Sequence, residues 1–321
     1  MSSIQYTNSP GIPHQSMAEE FLCHRKGIEW WYTTGYLTDE AGKMFTYQFT
    51  LAQLHLYGLR LFFLLTALTD FETGKHYYAQ QPFFSAKDVV ITPERVGVNG
   101  MSAMTFSAKK LGLNISAADY SLTLDMDAIK PPVWHCDNGV LKMGIEDNYT
   151  YYWSNTNLAV TGTLVFHGKP HRVSGKGWFD RQGGQYKFLD RRTQWEWFSL
   201  RFFDNEEVML FSFPHDGYQD GTIIDGSGHA KRLTDYTIAP LGFTESSGFK
   251  FSSGWAVNLK GVKEQEYTII PKVDGQLNFF FYELLADIKN KEGKVVGYCF
   301  VELLPGVYNT KSTVSAVFAK K

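Results

Sequence analysis

The chain has 321 residues and a formal net charge of −2, and its 31 lysines and arginines are spread along the sequence. Without a basic patch, long-range attraction to polyanions is weak, so nucleic acid is not an expected partner. Aromatic residues make up 16% of the chain, glycines number 29, and long helical runs of Ala, Leu, Glu and Lys are missing. This composition is typical of an all-β protein, and the length favours two domains.

The first 27 residues predict an extended arm and one short helix. Prolines and a glycine at positions 10–13 exclude regular structure there, and Ser16 followed by Glu19 is a capping-box pattern that predicts a helix through Cys23. No basic segment followed by an apolar segment opens the chain, so we expect no signal peptide. The longest apolar run, residues 59–68, is too short to span a bilayer. A cytoplasmic location without a transmembrane segment is the default expectation.

The three cysteines, Cys23, Cys136 and Cys299, are far apart and lack a C-x-x-C spacing. They predict free thiols in a reducing compartment. The segments Cys23-His24 and His135-Cys136-Asp137 contain zinc-ligand residue types, but neither has ligand spacing within it. A metal site is therefore the weaker alternative, and we expect no cofactor.

From Ile28 onward the sequence shows the period-two alternation of strands. One hairpin joins residues 28–37 to 45–51 through an acidic turn, and another joins residues 196–202 to 207–213. The segment 130–132, Lys-Pro-Pro, must be a loop or a sheet edge. Further strands, each bounded by Gly, Pro, Asn or Asp, are predicted at residues 59–67, 104–107, 113–116, 121–125, 159–166, 279–288, 295–304 and 312–318.

The two hairpins match each other at one constant offset, with residues 31–37 aligning with 197–203. We interpret this as a trace of internal duplication. Many antiparallel strands without covering helices favour sheets that curl and close, and barrels of about eight strands leave room for one small ligand. We therefore predict an all-β fold of two lipocalin-like antiparallel barrels packed together, covering residues 28–188 and 189–321.

The stretch from Gly175 to Phe198 combines acids, guanidinium groups, aromatic rings and glycines most densely, so it is the predicted site. Asp180 and Arg181 are its candidate catalytic residues. If tryptophans desolvate Asp180, its pKa rises and it can protonate an alkene or carbonyl; paired with a cation, it stays ionised. Neighbouring strand residues point to opposite faces, so Asp180 and Arg181 need not pair. A buried ion pair that ties strands together is the structural alternative.

Glu29 is a third catalytic candidate, but the favoured interpretation is structural: a glutamate at the start of a strand that caps a loop or pairs with an arginine. Glu283 is a further candidate, with a solvent-facing position as its alternative. His167 and His171 flank a predicted turn and are assigned no metal. Aromatic residues could wall a cavity and stabilise a developing cation, with core packing as the alternative for each: Trp31, Tyr32, Tyr152, Trp178, Trp195, Trp197 and Tyr282.

Seven motifs in order resemble the AttH and carotenoid 1,2-hydratase family: residues 29–37, 130–132, 151–152, 177–181, 195–198, 282–283 and 297–302. The likeness covers most of the chain from residue 28 onward. It implies a two-domain lipocalin-like fold. It also implies one of the family's activities: hydration of isoprenoid alkenes or prenylated phenolics, decalin formation by Diels–Alder cyclisation, or the activity of members described as secreted hydrolases.

One motif departs from the family pattern. Carotenoid hydratases carry Asp-His-Asn-Trp where this chain has Asp180-Arg181-Gln182-Gly183. The His and Trp that serve their acid–base chemistry are absent here, so the resemblance does not extend to carotenoid hydration itself.

The function expected from the sequence is a cofactor-independent enzyme, a hydratase, cyclase or isomerase, acting on a large apolar isoprenoid or polyene-type molecule. A non-catalytic carrier of a lipid or hydrophobic metabolite is the alternative from another class. A hydrolase is a third possibility, but no serine nucleophile elbow is found. Phosphate-loop and dinucleotide fingerprints are also missing. The sequence does not determine the substrate or the oligomeric state.

Overall fold

The computed structural model describes residues 3–7, 16–56, 58–83, 87–107, 109–144, 147–188, 190–262, 265–278 and 281–309. Helix α1, Met17–Glu20, is capped by Ser16, whose hydroxyl accepts a hydrogen bond from the Glu19 amide, so the predicted N-cap is confirmed. The Glu19 carboxylate accepts a hydrogen bond from the Thr7 hydroxyl. The helix ends three residues before the predicted Cys23. It ends early because Cys23 joins its backbone to the N-terminal arm, donating to the carbonyl of Gln5 at 3.1 Å.

Fourteen strands lie within the described residues before Tyr186. In chain order they are β1 Ser3–Ile4, β2 Ile28–Asp39, β3 Met44–Leu56, β4 Leu59–Asp70, β5 Lys75–Phe83, β6 Val89–Thr92, β7 Arg95–Val98, β8 Ala103–Phe106, β9 Lys110–Ser116, β10 Tyr120–Ala128, β11 Val133–Trp134, β12 Val140–Lys142, β13 Tyr149–Phe166 and β14 Lys169–Gln185. The main order across their sheet is β1-β6-β7-β8-β9-β10-β13-β14-β2-β3-β4-β5.

Ten strands follow, after a 3₁₀ helix at Arg191–Thr193. They are β15 Glu196–Phe202, β16 Glu207–Phe213, β17 Tyr218–Ile224, β18 Ala230–Leu233, β19 Tyr236–Ser246, β20 Phe249–Leu259, β21 Glu266–Pro271, β22 Leu277–Asn278, β23 Phe281–Lys289 and β24 Val295–Leu303. The order is β18-β17-β16-β15-β24-β23-β21-β20-β19. The strand predicted at residues 312–318 lies outside the described residues.

Both predicted hairpins are present, as β2 with β3 and β15 with β16. The chain divides into two compact units, Met1–Trp134 with Thr150–Gln185, and His135–Tyr149 with Tyr186–Lys321. Each unit contains a curled sheet that is almost entirely antiparallel, so the prediction of an all-β fold with two lipocalin-like domains is confirmed. No helix in the described ranges is long and apolar enough to cross a membrane.

The glycine-rich stretch that begins at Gly175 has a regular strand conformation up to residue 185. Residues 169–185 form one continuous strand, β14, which pairs with β2 along twelve residues of each strand. Its glycines allow close approach of the two strands rather than flexibility. A Cβ added at Gly175 would lie 1.9 Å from the carbonyl oxygen of Tyr36.

Each unit has its own apolar core on one face of its sheet. Strand alternation places Trp31, Trp153 and Phe179 in the first core, and Phe198, Leu200 and Trp255 in the second. The opposite face of the first sheet is the one that carries Asp180, as described next.

Candidate functional site

Asp180 and Arg181 point to opposite faces of β14, as strand alternation requires. The Arg181 guanidinium carbon lies 4.1 Å from the centroid of the Trp31 ring, which belongs to the first core. Asp180 instead contacts Tyr152, Ser154 and Trp178. The two neighbours therefore do not form an ion pair with each other.

Arg181 uses its whole donor set within the protein. Nε donates to the carbonyl of Glu20 at 3.0 Å, and one terminal nitrogen reaches the carbonyls of Trp30 and Gln182. The other donates to the carbonyl of Leu22 at 2.8 Å and to Glu29 Oε2 at 2.5 Å. A guanidinium has five N–H donors, and five acceptors surround this one. Arg181 thus fastens the segment after α1 to β2.

Glu29 lies in a cationic and hydrogen-bond-rich setting. Besides Arg181, the backbone amide and the ring Nδ1 of His24 each lie 2.8 Å from its carboxylate, and Gln53 donates at 3.1 Å. Burial raises the pKa of Glu29, but the charge of Arg181 and the contacts with His24 outweigh burial and bring it to about 2. A carboxyl ionised at neutral pH is a poor proton donor. Of the two structural roles expected for Glu29, the geometry fits the pairing with an arginine.

Asp180 lies in a different environment. Its carboxylate Oδ1 accepts hydrogen bonds from the Trp178 indole at 2.5 Å, from the Tyr152 hydroxyl at 3.1 Å and from the Ser154 hydroxyl. These three donors are neutral, and Asp180 is 4% exposed.

The face around Asp180 is buried and polar, unlike the apolar core face of the same sheet. Gln182, the next residue of β14 on this side, donates to the Thr150 hydroxyl at 2.8 Å. Tyr32 lies opposite Asp180 in the register of β2 and β14. We call this set the Asp180 face; its members, all buried, are Tyr32, Thr34, Thr150, Tyr152, Ser154, Trp178, Asp180 and Gln182.

Gly183 explains why the sequence departs from the carotenoid hydratase motif. It lies opposite Glu29 in the register, and a Cβ added at Gly183 would lie 2.3 Å from the Glu29 Cβ. A tryptophan does not fit at this position while Glu29 occupies its place. The glycine and the Glu29–Arg181 pair therefore belong to one local arrangement.

The remaining candidates are in the second unit. Trp195 donates to Glu302 Oε1 at 2.6 Å, and Trp197 is buried. Tyr282 packs edge-on against Phe251 in the second core. Glu283 is 4% exposed, which contradicts the solvent-facing alternative considered for it. In the first unit, Trp31 is a core residue beneath Arg181 and not a member of the Asp180 face.

Sequence reasoning missed Ser154 and Glu196. Glu196 is 3% exposed, and burial raises its pKa despite a hydrogen bond from Ser252. Strand alternation held a signal, because Glu196 shares the face of Phe198 and Leu200, which are core residues. A carboxyl on an apolar strand face is an unusual placement, and the alternation pattern of the sequence is enough to reveal it.

The cysteines are free thiols, and all three are buried. Burial raises the pKa of each. Cys23 Sγ lies 2.8 Å from Gln53 Oε1, beside Glu29. His167 lies in the predicted turn between β13 and β14, with a positive φ of 48°. In the part of the chain that the structure describes, no group of three or more His, Cys, Asp and Glu side chains is placed to hold a metal ion.

The family model described as AttH-like matches residues 13–306, which is most of the chain. The chain belongs to the AttH-like family. No curated protein sequence matches it.

Solved structures share the fold of this AttH-like protein. An AttH protein from Nitrosomonas europaea is 22% identical with a TM-score of 0.82, over 94% of this chain and 99% of that one. Kievitone hydratase from Nectria haematococca is 17% identical with a TM-score of 0.73, over 96% and 98%. The protein CghA is 11% identical with a TM-score of 0.54, over 95% and 96%. At these identities the likeness shows the fold alone.

Proposed function

We propose that this AttH-like protein is a cofactor-independent enzyme in which Asp180 is the general acid for addition of water to a large apolar isoprenoid or polyene-type molecule. The observation that carries the proposal is the Asp180 carboxyl itself, buried and held at one oxygen by three neutral donors. Buried carboxyls with fixed geometry are the groups that general acid catalysis requires.

Glu29 and Asp180, two of the buried carboxyls of the first unit, lie in different environments. Glu29 faces Arg181 and His24, so it stays ionised and serves the architecture. The hydroxyls and the indole that hold Asp180 orient its carboxyl through neutral groups. In many active sites, two carboxyls in contrasting environments have different roles, and only one of them acts as the general acid.

In the proposed reaction, the proton of the Asp180 carboxyl moves to one carbon of a substrate alkene and leaves a carbocation on the other. The rings of Trp178 and Tyr152 flank the carboxyl and favour positive charge at their faces. Water then forms the new C–O bond, and its surplus proton returns to Asp180. A donor placed in this way contributes about 10²–10⁴-fold to the rate.

Family membership and the name of one structural neighbour support a hydratase. Kievitone hydratase is a hydratase by name, and this chain covers 98% of it. Cyclisation or isomerisation of the same substrate class would use the same acid or, for a pericyclic reaction, only a bound and folded conformer. The alternative from another class is a carrier of a hydrophobic metabolite, in which Asp180 would only hydrogen-bond its ligand.

The test is conversion of kievitone, farnesol and geranylgeraniol in ¹⁸O-labelled water, followed by mass spectrometry. A hydratase adds the mass of labelled water to the substrate, whereas cyclisation or isomerisation leaves the mass unchanged and alters the retention time. Asp180→Asn should abolish conversion while substrate still binds. The matched control is Asp127→Asn, because Asp127 is an exposed carboxylate of the same unit, with 54% of its side chain accessible.

Two results would overturn the proposal. Binding of these compounds without conversion by the native protein would favour the carrier. Equal turnover by the native protein and Asp180→Asn would show that Asp180 is not the general acid. Release of p-nitrophenol from simple esters tests the hydrolase alternative, and we expect none.

A further inference from the structure

Glu196 is a carboxyl in the apolar interior of the second unit. It lies opposite Leu303 in the register of β15 and β24, and Leu303 lies opposite Tyr282 in β23. Both register partners belong to the second core. Glu196 is the first residue of β15. It therefore lies in one row with the core residues Leu303 and Tyr282, across three adjacent strands.

The carboxyl is held by neutral partners. The Ser252 hydroxyl donates to Glu196 Oε1 at 2.5 Å, and the Trp255 indole donates to that hydroxyl at 3.0 Å. Tyr308 lies close to this carboxyl, and each of the two groups shifts the pKa of the other. Across the described ranges, no lysine or arginine forms an ion pair with Glu196. Burial raises its pKa, which favours the neutral acid.

A core selected only for stability would hold an apolar side chain at this position, because burying a carboxyl without a counter-ion costs free energy. At least one other buried acid of the same unit has a cationic partner. Asp220, for example, is fully buried but receives two hydrogen bonds from Arg232, at 2.7 and 3.0 Å. A cation therefore compensates Asp220, whereas the hydroxyl that donates to Glu196 is neutral.

Tyr308 is a removable contact between this carboxyl and solvent. Tyr308 is only half-buried, and its ring packs edge-on against Phe243, with 5.1 Å between centroids. Phe243 is itself 49% exposed. Asn309 fastens the segment to β20 through two hydrogen bonds with the Lys250 backbone, each 2.9 Å. Rotation of the half-buried Tyr308 side chain would open the Glu196 end of the core to solvent.

We propose that Glu196 and Ser252 form a second binding site, for the carbonyl oxygen of an apolar molecule, and that Tyr308 occupies this site when no ligand is bound. The proposal goes beyond the Asp180 reaction and does not depend on it. A neutral carboxyl offers one O–H donor, which matches the acceptor oxygen of a ketone or aldehyde. The surrounding aromatic rings, among them Phe198, Phe251 and Trp255, suit an apolar chain rather than a charged ligand.

The test compares 2-nonanone with nonane, which has the same carbon chain without the oxygen. Headspace gas chromatography gives the bound fraction of each compound over native protein, Glu196→Leu and Glu196→Gln. We expect Glu196→Leu to weaken 2-nonanone binding by about 3- to 10-fold, the value of one hydrogen bond, without weakening nonane. Glu196→Gln keeps an N–H donor of the same length and should stay within about twofold of native.

An infrared measurement on the native protein provides a readout that does not require Glu196→Leu to fold. The carbonyl band of bound 2-nonanone should lie at lower wavenumber than in hexane, as expected of a hydrogen-bonded ketone. The shift should persist in Asp180→Asn, which separates this site from the proposed active site. Tyr308→Ala should bind 2-nonanone more tightly than native protein.

Three outcomes would overturn the proposal. They are an unshifted carbonyl band in native protein, a shift that disappears in Asp180→Asn, or equal 2-nonanone affinity in native protein and a folded Glu196→Leu. If Tyr308→Ala binds no more tightly than native protein, Tyr308 does not occupy the site.

Discussion

Arg181 donates to the carboxylate of Glu29 at 2.5 Å, although the two residues are 152 positions apart in the chain. The contact spans the paired strands β2 and β14, and both side chains are nearly inaccessible, at 4% and 2% exposure. Because Arg181 also holds the carbonyls of Glu20 and Leu22, the pair joins the N-terminal segment to the sheet that carries Asp180. We therefore expect loss of the Glu29–Arg181 pair to lower the stability of the protein more than the rate of the reaction proposed at Asp180.

Glu29→Gln should lower the free energy of unfolding by about 3–5 kcal/mol at pH 7, because it leaves a buried guanidinium without its counter-charge. Urea denaturation followed by tryptophan fluorescence measures this. Glu29→Gln/Arg181→Met, which removes both charges, should recover part of the loss. A double variant as unstable as the sum of both single variants would show that the two residues do not interact.

The same ion pair makes the stability of the folded protein depend on pH in the acid range. The pKa of Glu29 is lowered from its ordinary 4.5 to about 2 in the folded protein, so its contribution to stability is complete above pH 4.5. That contribution is lost as the pH falls through about 2. The stability gap between native protein and Glu29→Gln should therefore narrow between pH 4.5 and 2, as measured by urea denaturation at each pH. A gap that stays constant over this range would contradict the ionised state of Glu29.

Arg181→Lys should destabilise the protein even though the charge is kept. Lysine lacks the planar fork that reaches five acceptors, and buried carbonyls such as that of Glu20 would lose their donor. We expect a loss of at least about 1–3 kcal/mol, the cost of one unsatisfied buried group. Thermal unfolding measures it, with Arg172→Lys as the control for the same exchange elsewhere on β14. Equal melting temperatures for Arg181→Lys and native protein would contradict the donor assignment.

Trp178→Phe should separate positioning from binding at the Asp180 face. Phenylalanine keeps an aromatic ring but removes the indole donor that lies 2.5 Å from Asp180. We expect kcat to fall about 10-fold, the value of one hydrogen bond, with a smaller change in KM. The substrate is the compound converted in the ¹⁸O assay. Trp134→Phe is the matched control, since Trp134 packs against Trp153 at the core face. If Trp178→Phe and Trp134→Phe had the same kcat and KM, the indole of Trp178 would have no specific role in the reaction.

Gly183→Ala should be strongly destabilising for its size. The added methyl group would lie 2.3 Å from the Glu29 Cβ, a distance that requires the paired strands to move. We expect a loss of about 1–3 kcal/mol, as for other overpacked positions. Gly168→Ala is an informative comparison, because that turn glycine has open space around it and only its positive φ of 75° opposes the change. If Gly183→Ala and the native protein have the same melting temperature, the close approach of Gly183 to Glu29 is contradicted.

The sequence by itself determined the all-β class, the two hairpins, the cap of α1 and the family. These features follow from local rules, since alternation, turn residues and capping patterns act between residues close in the chain. Alternation also separated Asp180 from Arg181, because successive residues of a strand point to opposite faces. Nothing in those rules says which distant groups a side chain meets.

Only the tertiary structure decided the partners of the carboxyls. Glu29 is compensated by Arg181, Asp180 is held by Tyr152 and Ser154 from β13, and Glu196 meets Ser252, 56 positions away. The physical reason is that protonation and reactivity depend on burial and on neighbouring charges, which strand pairing brings together from remote parts of the chain. The same strand pairing sets Gly183 against Glu29 and keeps a tryptophan out of that position.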